Sequence, residues 1–179
     1  FLSIIIGAFS AINQKIIKRL IAFSSINNIG LIFLSLSLAT EYSIVYAIVY
    51  LIIYINLTLG LFFILLNYNI KTFHIKEIYK IFEFFNFSKN FPLNGFLLSI
   101  LMFSFIGVPP LAGFLGKLSI INSFIKEDFF LLSFIILLLS VLSSFYYLRI
   151  IYILNFNIIL KNYFKNFYIF SKNIFYKNF

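Results

Sequence analysis

One lysine stands apart in a long stretch of sequence that is otherwise uncharged. Lys117 ends the run Phe105-Ile-Gly-Val-Pro-Pro-Leu-Ala-Gly-Phe-Leu-Gly-Lys117, inside an apolar segment over residues 93–125. Counted back from Asp128, which we expect at the membrane surface, Lys117 is about 16 Å deep, near the middle of a bilayer. An amine at that depth is costly unless water or a partner stabilises it. Lys117 is therefore our candidate for binding and releasing a proton. The alternative is a lysine that snorkels to the interface.

The segment that carries Lys117 is longer than one membrane crossing and is interrupted by two prolines. About 20 helical residues already cross the hydrocarbon core. Proline removes a backbone donor and clashes with the preceding helical turn, and glycine adds flexibility. The sequence predicts two half-helices joined by an unwound turn, which is tolerated at membrane depth only inside protein or beside a wet cavity. The residues predicted to form this hinge are Gly107, Pro109, Pro110 and Gly113.

Polar side chains on two neighbouring segments are candidates for a hydrated path. Ser24 and Asn28 are four residues apart and share a helix face. Tyr54 and Thr58 belong to a stripe that recurs every four residues from Tyr42. Interhelical hydrogen bonding explains the first pair equally well. For the stripe, packing and a general excess of tyrosine are the favoured explanation.

The composition is that of a membrane protein. The chain has 179 residues, 63% hydrophobic and 11% charged, with a mean hydropathy of +1.06. No soluble domain of this size has such a composition, so we predict an all-α, polytopic transmembrane bundle. Cysteine is absent and there is one histidine. Disulfides and cysteine-bound zinc or iron–sulfur sites are thereby excluded, and no metal or cofactor site is expected.

Charge and hydropathy together predict five membrane segments. The segments form a domain over residues 1–155, followed by a basic interfacial tail over 156–179, with an amphipathic surface helix at about 72–88. Most of the 14 lysine and arginine residues fall on one side of the membrane in this arrangement. The net charge of +9 is therefore a positive-inside topology signal, and nucleic acid is not an expected partner. The predicted segments are 1–12, 20–39, 43–66, 93–125 with its break, and 129–154.

Residue usage suggests where the gene resides. Phenylalanine, isoleucine, asparagine, lysine and tyrosine, which have A/T-rich codons, are abundant in the chain, and this usage predicts an A/T-rich, organellar genome. The first residue is Phe1 and the one methionine is Met102. An unusual start codon, a processed N-terminus or a larger protein would each explain this.

Three motifs carry a resemblance to a known family. Ala11-Ile-Asn-Gln-Lys-Ile-Ile-Lys-Arg-Leu-Ile-Ala-Phe-Ser-Ser-Ile-Asn-Asn-Ile-Gly30 and Ile106-Gly-Val-Pro-Pro-Leu-Ala-Gly-Phe-Leu-Gly-Lys117 resemble two signatures of the antiporter-like membrane subunits of respiratory complex I. Phe145-Tyr-Tyr-Leu-Arg-Ile-Ile-Tyr152 resembles the end of their next helix. Order and spacing are most similar to the NADH dehydrogenase subunit 2 branch, over about residues 1–155.

The resemblance implies a function. Such subunits contribute to proton translocation coupled to electron transfer from NADH to ubiquinone, without redox chemistry of their own. NADH, FMN, iron–sulfur clusters and ubiquinone are then expected on other subunits. Lys117 corresponds to the terminal lysine of a proton half-channel. Lys18 matches a basic position at the start of a helix, either as a second relay residue or, as we favour, as a positive-inside anchor.

The resemblance covers only the C-terminal half of the family. We therefore expect a separate chain to supply the missing N-terminal helices, alongside other membrane-arm subunits and lipids as partners. The expected location is the mitochondrial inner membrane, with basic loops and tail on the matrix side. Two other functions stay open: a subunit of a multisubunit cation/proton antiporter, and a degenerate structural spacer.

Overall fold

Helices account for almost all of the described structure. The computed structural model describes the backbone of residues 1–72, 88 and 90–176, and the side chains of 1–66, 88 and 90–155. Three stretches within it are long and apolar enough to cross a membrane: Ile17–Leu36, Glu41–Leu66 and Phe130–Asn155. The predicted all-α, multi-pass fold class is thus confirmed. The helices of this part of the chain are α1 (Leu2–Ile12), α2 (Ile17–Leu36), α3 (Glu41–Thr72), α4 (Pro92–Ile106), α5 (Ala112–Lys126) and α6 (Phe130–Tyr176).

Some helices extend beyond the predicted segments. α3 continues past residue 66 to Thr72, and α6 continues past residue 154 to Tyr176. No glycine or proline follows Gly116 in the sequence, so nothing in the backbone chemistry forces α6 to stop earlier. The predicted surface helix at 72–88 falls almost entirely outside the described residues. The interfacial placement of residues 156–179 also stays a prediction.

The ends of the helices are defined by local chemistry. Before α3, the backbone N–H of Thr40 donates to Ser43 Oγ at 3.1 Å and that of Ser43 donates to Thr40 Oγ1 at 3.3 Å. This reciprocal pair satisfies two of the N–H groups that an α-helix leaves unpaired at its start. α4 begins with Pro92, which needs no donor at that position. Its last residue, Ile106, is followed by the C-cap Gly107, whose φ of 89° and ψ of 47° are left-handed.

The predicted break is present. α4 stops at Ile106, and α5 begins at Ala112 after an extended Leu111. Pro109 and Pro110 lie in the turn between the two half-helices. The two half-helices still contact each other, because the N–H of Gly113 donates to Ser104 Oγ at 3.3 Å.

Two apolar clusters form the core, one towards each end of the bundle. One includes Leu20, Met102 and Ile150, and the other includes Leu31, Ile120 and Ile136. α1 approaches α2 closely, as small residues in membrane helices allow. A Cβ added at Gly7 in α1 would lie 2.8 Å from the backbone nitrogen of Asn27 in α2.

Charged side chains mark the two ends of the bundle. At one end, Lys126 of α5 lies 4.4 Å from the ring centroid of Tyr42, beside the start of α3. At the other, Arg149 of α6 donates to the carbonyls of Ile12 at 3.3 Å and Gln14 at 3.4 Å. The acidic residues Glu41 and Glu127 share the Lys126 end, in line with the charge asymmetry of the sequence.

Gly113→Ala is expected to destabilise the bundle strongly. Its new Cβ would collide with the backbone carbonyl of Ser104, which cannot move without displacing α4. We expect a loss of about 1–3 kcal/mol or more, measured by thermal unfolding of the detergent-solubilised assembly. The matched control is Gly60→Ala, where the new Cβ meets only Leu101 methyl carbons at 3.4 Å. Equal unfolding temperatures for the two variants would contradict the proposed packing.

Candidate functional site

Lys117 is held at the end of the other half-helix. Its Nζ donates to the backbone carbonyls of Phe105 at 2.6 Å and Ile106 at 3.0 Å, and the residue is 9% exposed. The last carbonyls of an α-helix have no partner within the helix and carry partial negative charge. A cation placed there is stabilised. The lysine of α5 therefore caps the C-terminus of α4 across the break.

The hinge residues leave those carbonyls available. The N–H groups of Gly107 and Val108 both bond to the Phe103 carbonyl, at 3.1 and 3.3 Å. Pro109 and Pro110 have no N–H to donate. A Cβ at Gly107 would lie 3.3 Å from Lys117 Cδ, so the side chain of Lys117 runs alongside the turn. The break thus provides both the acceptors and the room for the ammonium group.

Three buried side chains near this hinge are joined by hydrogen bonds, and we refer to them as the polar chain. Asn28 of α2 is at its centre: its Oδ1 accepts from Tyr50 Oη at 3.1 Å, and its Nδ2 donates to Tyr147 Oη at 3.4 Å. All three side chains are at most 3% exposed. Tyr50 belongs to one apolar cluster and Tyr147 to the other. Asn28 therefore joins the two halves of the core by hydrogen bonds.

Aromatic contacts connect the polar chain to Phe105, whose carbonyl accepts from Lys117. The ring of Phe105 stacks on Tyr147, with centroids 5.5 Å apart and planes 10° apart. Tyr54 meets the same ring edge-on at 6.3 Å and 72°. Offset stacks and edge contacts are the arrangements that aromatic quadrupoles favour.

Two cavities adjoin α2 and α3, and the smaller one also borders α4 and α6. The larger has a volume of about 550 Å³, and its wall includes Lys18, Ser25, Tyr54 and Thr58 among apolar residues. The smaller, of about 10 Å³, has the size of a single water. Tyr54 and Thr58 line both cavities, and Ser24, Phe105 and Tyr147 line the smaller one.

Comparison with known proteins identifies the family. Residues 1–143 match the family described as NADH:quinone oxidoreductase/Mrp antiporter, TM. The chain belongs to this family.

Individual members show the same relationship. The chain is 37% identical over 155 residues to NADH-quinone oxidoreductase subunit N of Parvibaculum lavamentivorans, covering 87% of this chain and 32% of that protein. It is 36% identical over 162 residues to NADH-ubiquinone oxidoreductase chain 2 of Rhizopus oryzae, covering 87% and 31%. The chain thus spans about a third of the length of these relatives.

A solved structure gives the same fold. A chain in the structure of respiratory complex I from Thermus thermophilus with bound Aureothin superimposes with a TM-score of 0.70 at 28% identity. The match covers 86% of this chain and 34% of that one. The membrane fold of this antiporter-family chain is therefore that of a complex I membrane subunit.

The structure places several predicted site residues of this family member at the two cavities and others beside them. Lys18 lies at the larger cavity, and Tyr54 and Thr58 line its wall, while Ser24 lies at the smaller cavity. Asn28 donates a hydrogen bond to Tyr147, which lines the smaller cavity, and Lys117 donates to the carbonyl of Phe105, which lines it as well. Ser24 Oγ donates to the carbonyl of Ile21 at 2.7 Å within its own helix. Asn28 makes interhelical hydrogen bonds to Tyr50 and Tyr147.

Three residues of the site were not among the candidates. Tyr50, Phe105 and Tyr147 connect the polar chain to Lys117. Tyr50 belongs to the stripe for which packing is the favoured explanation, and Tyr147 lies in the motif from Phe145 to Tyr152. Their sequence spacing was visible, but their partners on other helices were not. Among the described residues, no group of three His, Cys, Asp or Glu could hold a metal.

Cysteine labelling tests whether the larger cavity is hydrated. The chain has no cysteine of its own, so a single thiol can be followed on it by mass. Ser25→Cys is expected to react with a small charged thiol reagent at least about tenfold faster than Ser140→Cys, because the thiolate forms only in water. Both serines donate to a carbonyl in their own helix at 2.7 Å, but only Ser25 lines the cavity. Equal rates would contradict a wet cavity.

Proposed function

We propose that this chain is a proton-translocating part of an antiporter-like membrane subunit of respiratory complex I, the proton movement being driven by NADH oxidation and quinone reduction on other subunits. The observation that supports the proposal is a buried Lys117 bonded to the carbonyl of Phe105, a residue that lines the smaller of two cavities, the larger of which adjoins Lys18. The printed names of the relatives support the same assembly.

In this proposal, protons reach the site from the basic end. Lys18 is the proton-uptake residue at the larger cavity, and Ser24, Tyr54 and Thr58 line the narrowing passage beyond it. Water in the cavities would carry the proton between these groups. Phe105 lines the smaller cavity and its carbonyl accepts from Lys117, so in this proposal the proton passes from the cavity to Lys117 beside this residue.

Lys117 is the proton carrier in this proposal. A buried lysine exchanges its proton readily when its surroundings change. The charged ammonium is favoured at the carbonyls of Phe105 and Ile106, and loss of the proton weakens that attraction. Protonation of Lys117 is thereby coupled to the contact between α4 and α5. Moving one charge across a membrane costs about 2.3 kcal/mol per 100 mV, which is large enough to link distant events.

The partners and location follow from the same proposal. Other membrane-arm subunits and lipids surround the chain, and the helices that make up the rest of the relatives' length pack against it. A separate polypeptide that carries those helices stays a prediction, checked by the mass of this chain in the purified assembly. The similarity to NADH-ubiquinone oxidoreductase chain 2 of Rhizopus oryzae and the excess of residues that have A/T-rich codons support a place in the mitochondrial inner membrane, with the basic end in the matrix.

Lys117→Ala is expected to reduce the number of protons translocated per NADH oxidised while the complex still assembles. Lys117→Arg should fail as well, because arginine does not release its proton. The measurement is acidification of membrane vesicles against the rate of NADH oxidation. Lys126→Ala, on the same helix but at the surface, is the matched control. A normal ratio in both Lys117 variants would remove the relay role.

The arginine variant also separates the proposal from the structural-spacer alternative. If Lys117 only caps α4, Arg can donate to the same carbonyls and should preserve every measured property. The cation/proton antiporter alternative predicts co-purification without iron–sulfur subunits. Identity to complex I subunits favours the first function, although the family description includes both.

Lys18→Arg tests the uptake role. An anchor needs only a positive charge, whereas an uptake residue must also release a proton. We therefore expect Lys18→Arg to assemble normally and to slow proton translocation. Lys15→Arg, just before the start of α2 and outside the cavity wall, should behave like the unaltered protein. Unchanged translocation in Lys18→Arg would leave only the anchor role.

A further inference from the structure

Phe105 is in contact with both Lys117 and α6. Its backbone carbonyl accepts the shorter of the two hydrogen bonds from Lys117 Nζ, at 2.6 Å. Its ring lies nearly parallel to that of Tyr147, with planes 10° apart. The Tyr147 ring is therefore in direct contact with the residue whose carbonyl holds the ammonium group. The carbonyl lies in the last turn of α4, where intrahelical hydrogen bonds no longer fix it.

Tyr147 is in turn fixed by its hydroxyl group. That hydroxyl accepts from Asn28 Nδ2, while the Oδ1 of the same amide accepts from Tyr50 Oη. Because one amide group serves both tyrosines, its orientation fixes both at once. In a low-dielectric interior, releasing either tyrosine would leave a buried polar group unpaired. Asn28 is 1% exposed, so water does not compete freely for these bonds.

A second set of contacts connects Asn28 to Lys117, through Tyr50 and Gly116. The ring of Tyr50 lies against the backbone of Gly116, and a Cβ added at Gly116 would collide with it. Gly116 is the direct neighbour of Lys117 in α5. Two sets of contacts therefore fix the position of Lys117. One acts through its carbonyl acceptor on α4, and the other acts through the packing of Tyr50 on its own helix, α5. Both sets meet at Asn28.

We propose that Tyr147 is a positioning residue for Lys117, with Asn28 as its anchor. Its ring sets the place of the Phe105 carbonyl, and that carbonyl sets the place of the ammonium group. The inference rests on the proposed function, because it assumes that Lys117 carries the translocated proton. It adds to that function the residues that keep Lys117 in register with the passage from the cavities.

The test separates the ring of Tyr147 from its hydroxyl. Tyr147→Leu removes the stack on Phe105, and we expect the proton-to-NADH ratio to fall by the same fraction as in Lys117→Ala. Tyr147→Phe keeps the stack but loses the hydrogen bond from Asn28, and we expect a ratio between those of Tyr147→Leu and the unaltered protein. The measurement uses native membrane vesicles, with NADH oxidation and the amount of assembled complex recorded on the same samples.

A purely structural role is distinguished by a matched core variant. Phe124→Leu removes a buried aromatic ring from α5, the helix of Lys117, within the other apolar cluster. A packing defect alone lowers the amount of complex without altering protons per NADH, and Phe124→Leu is expected to behave in this way. If Tyr147→Leu resembles Phe124→Leu, the positioning role is wrong.

Two further results complete the test. If Tyr147→Leu does not assemble, Phe105→Leu removes the same stack from the other side and leaves the backbone carbonyl, and the same loss of ratio is expected. A normal ratio in Phe105→Leu would overturn the inference. If Lys117→Ala lowers the ratio and both leucine variants keep it, the positioning role fails alone. If Lys117→Ala also keeps it, the proposed function has failed.

Discussion

The hydrogen bonds between the Lys117 ammonium and the carbonyls of Phe105 and Ile106 are the contact on which the rest of the site depends. They join two half-helices that the prolines separate, and they stabilise a buried cation without a carboxylate among its contacts in the described residues. A continuous helix could not provide this, since its interior carbonyls already accept from its own N–H groups. The break thus provides carbonyl acceptors for a buried lysine. Because the contact depends on the positive charge, its strength also depends on whether Lys117 is protonated.

The surrounding core keeps this sensitive contact in a defined place. Two apolar clusters fill the ends of the bundle, and hydrogen bonds from Asn28 join Tyr50 of one to Tyr147 of the other. Apolar side chains alone would tolerate some sliding of the helices, whereas directional hydrogen bonds in a low dielectric do not. The polar layer therefore gives precise geometry, and the apolar clusters give most of the stability. The cavity beside Lys18 lies at the edge of this layer, where packing between α2 and α3 is incomplete.

Much of this arrangement could be predicted from residue types. The hydropathy pattern predicts the membrane segments, Pro109 and Pro110 predict the break, and a lone charge in an apolar stretch identifies Lys117. The acceptors of Lys117 could not be predicted, because they are backbone carbonyls and every residue has one. Tyr50 and Tyr147 are difficult for a different reason. Tyrosine is common throughout this chain, and only the three-dimensional contacts separate these two from the others. Gly113 was predicted to give flexibility, but its visible role is to let α5 lie directly on the Ser104 carbonyl.

The most direct test of the account is a structure of the native assembly at a resolution that shows water, with attention to the space around Lys117. The account predicts a chain of waters from the cavity at Lys18, past Ser24 and Thr58, to Phe105 and then Lys117. It also predicts a further connection from Lys117 to a titratable residue outside the part of the chain described here. A dry Lys117, sealed from the cavity on one side and facing lipid on the other, would contradict proton transfer at this site.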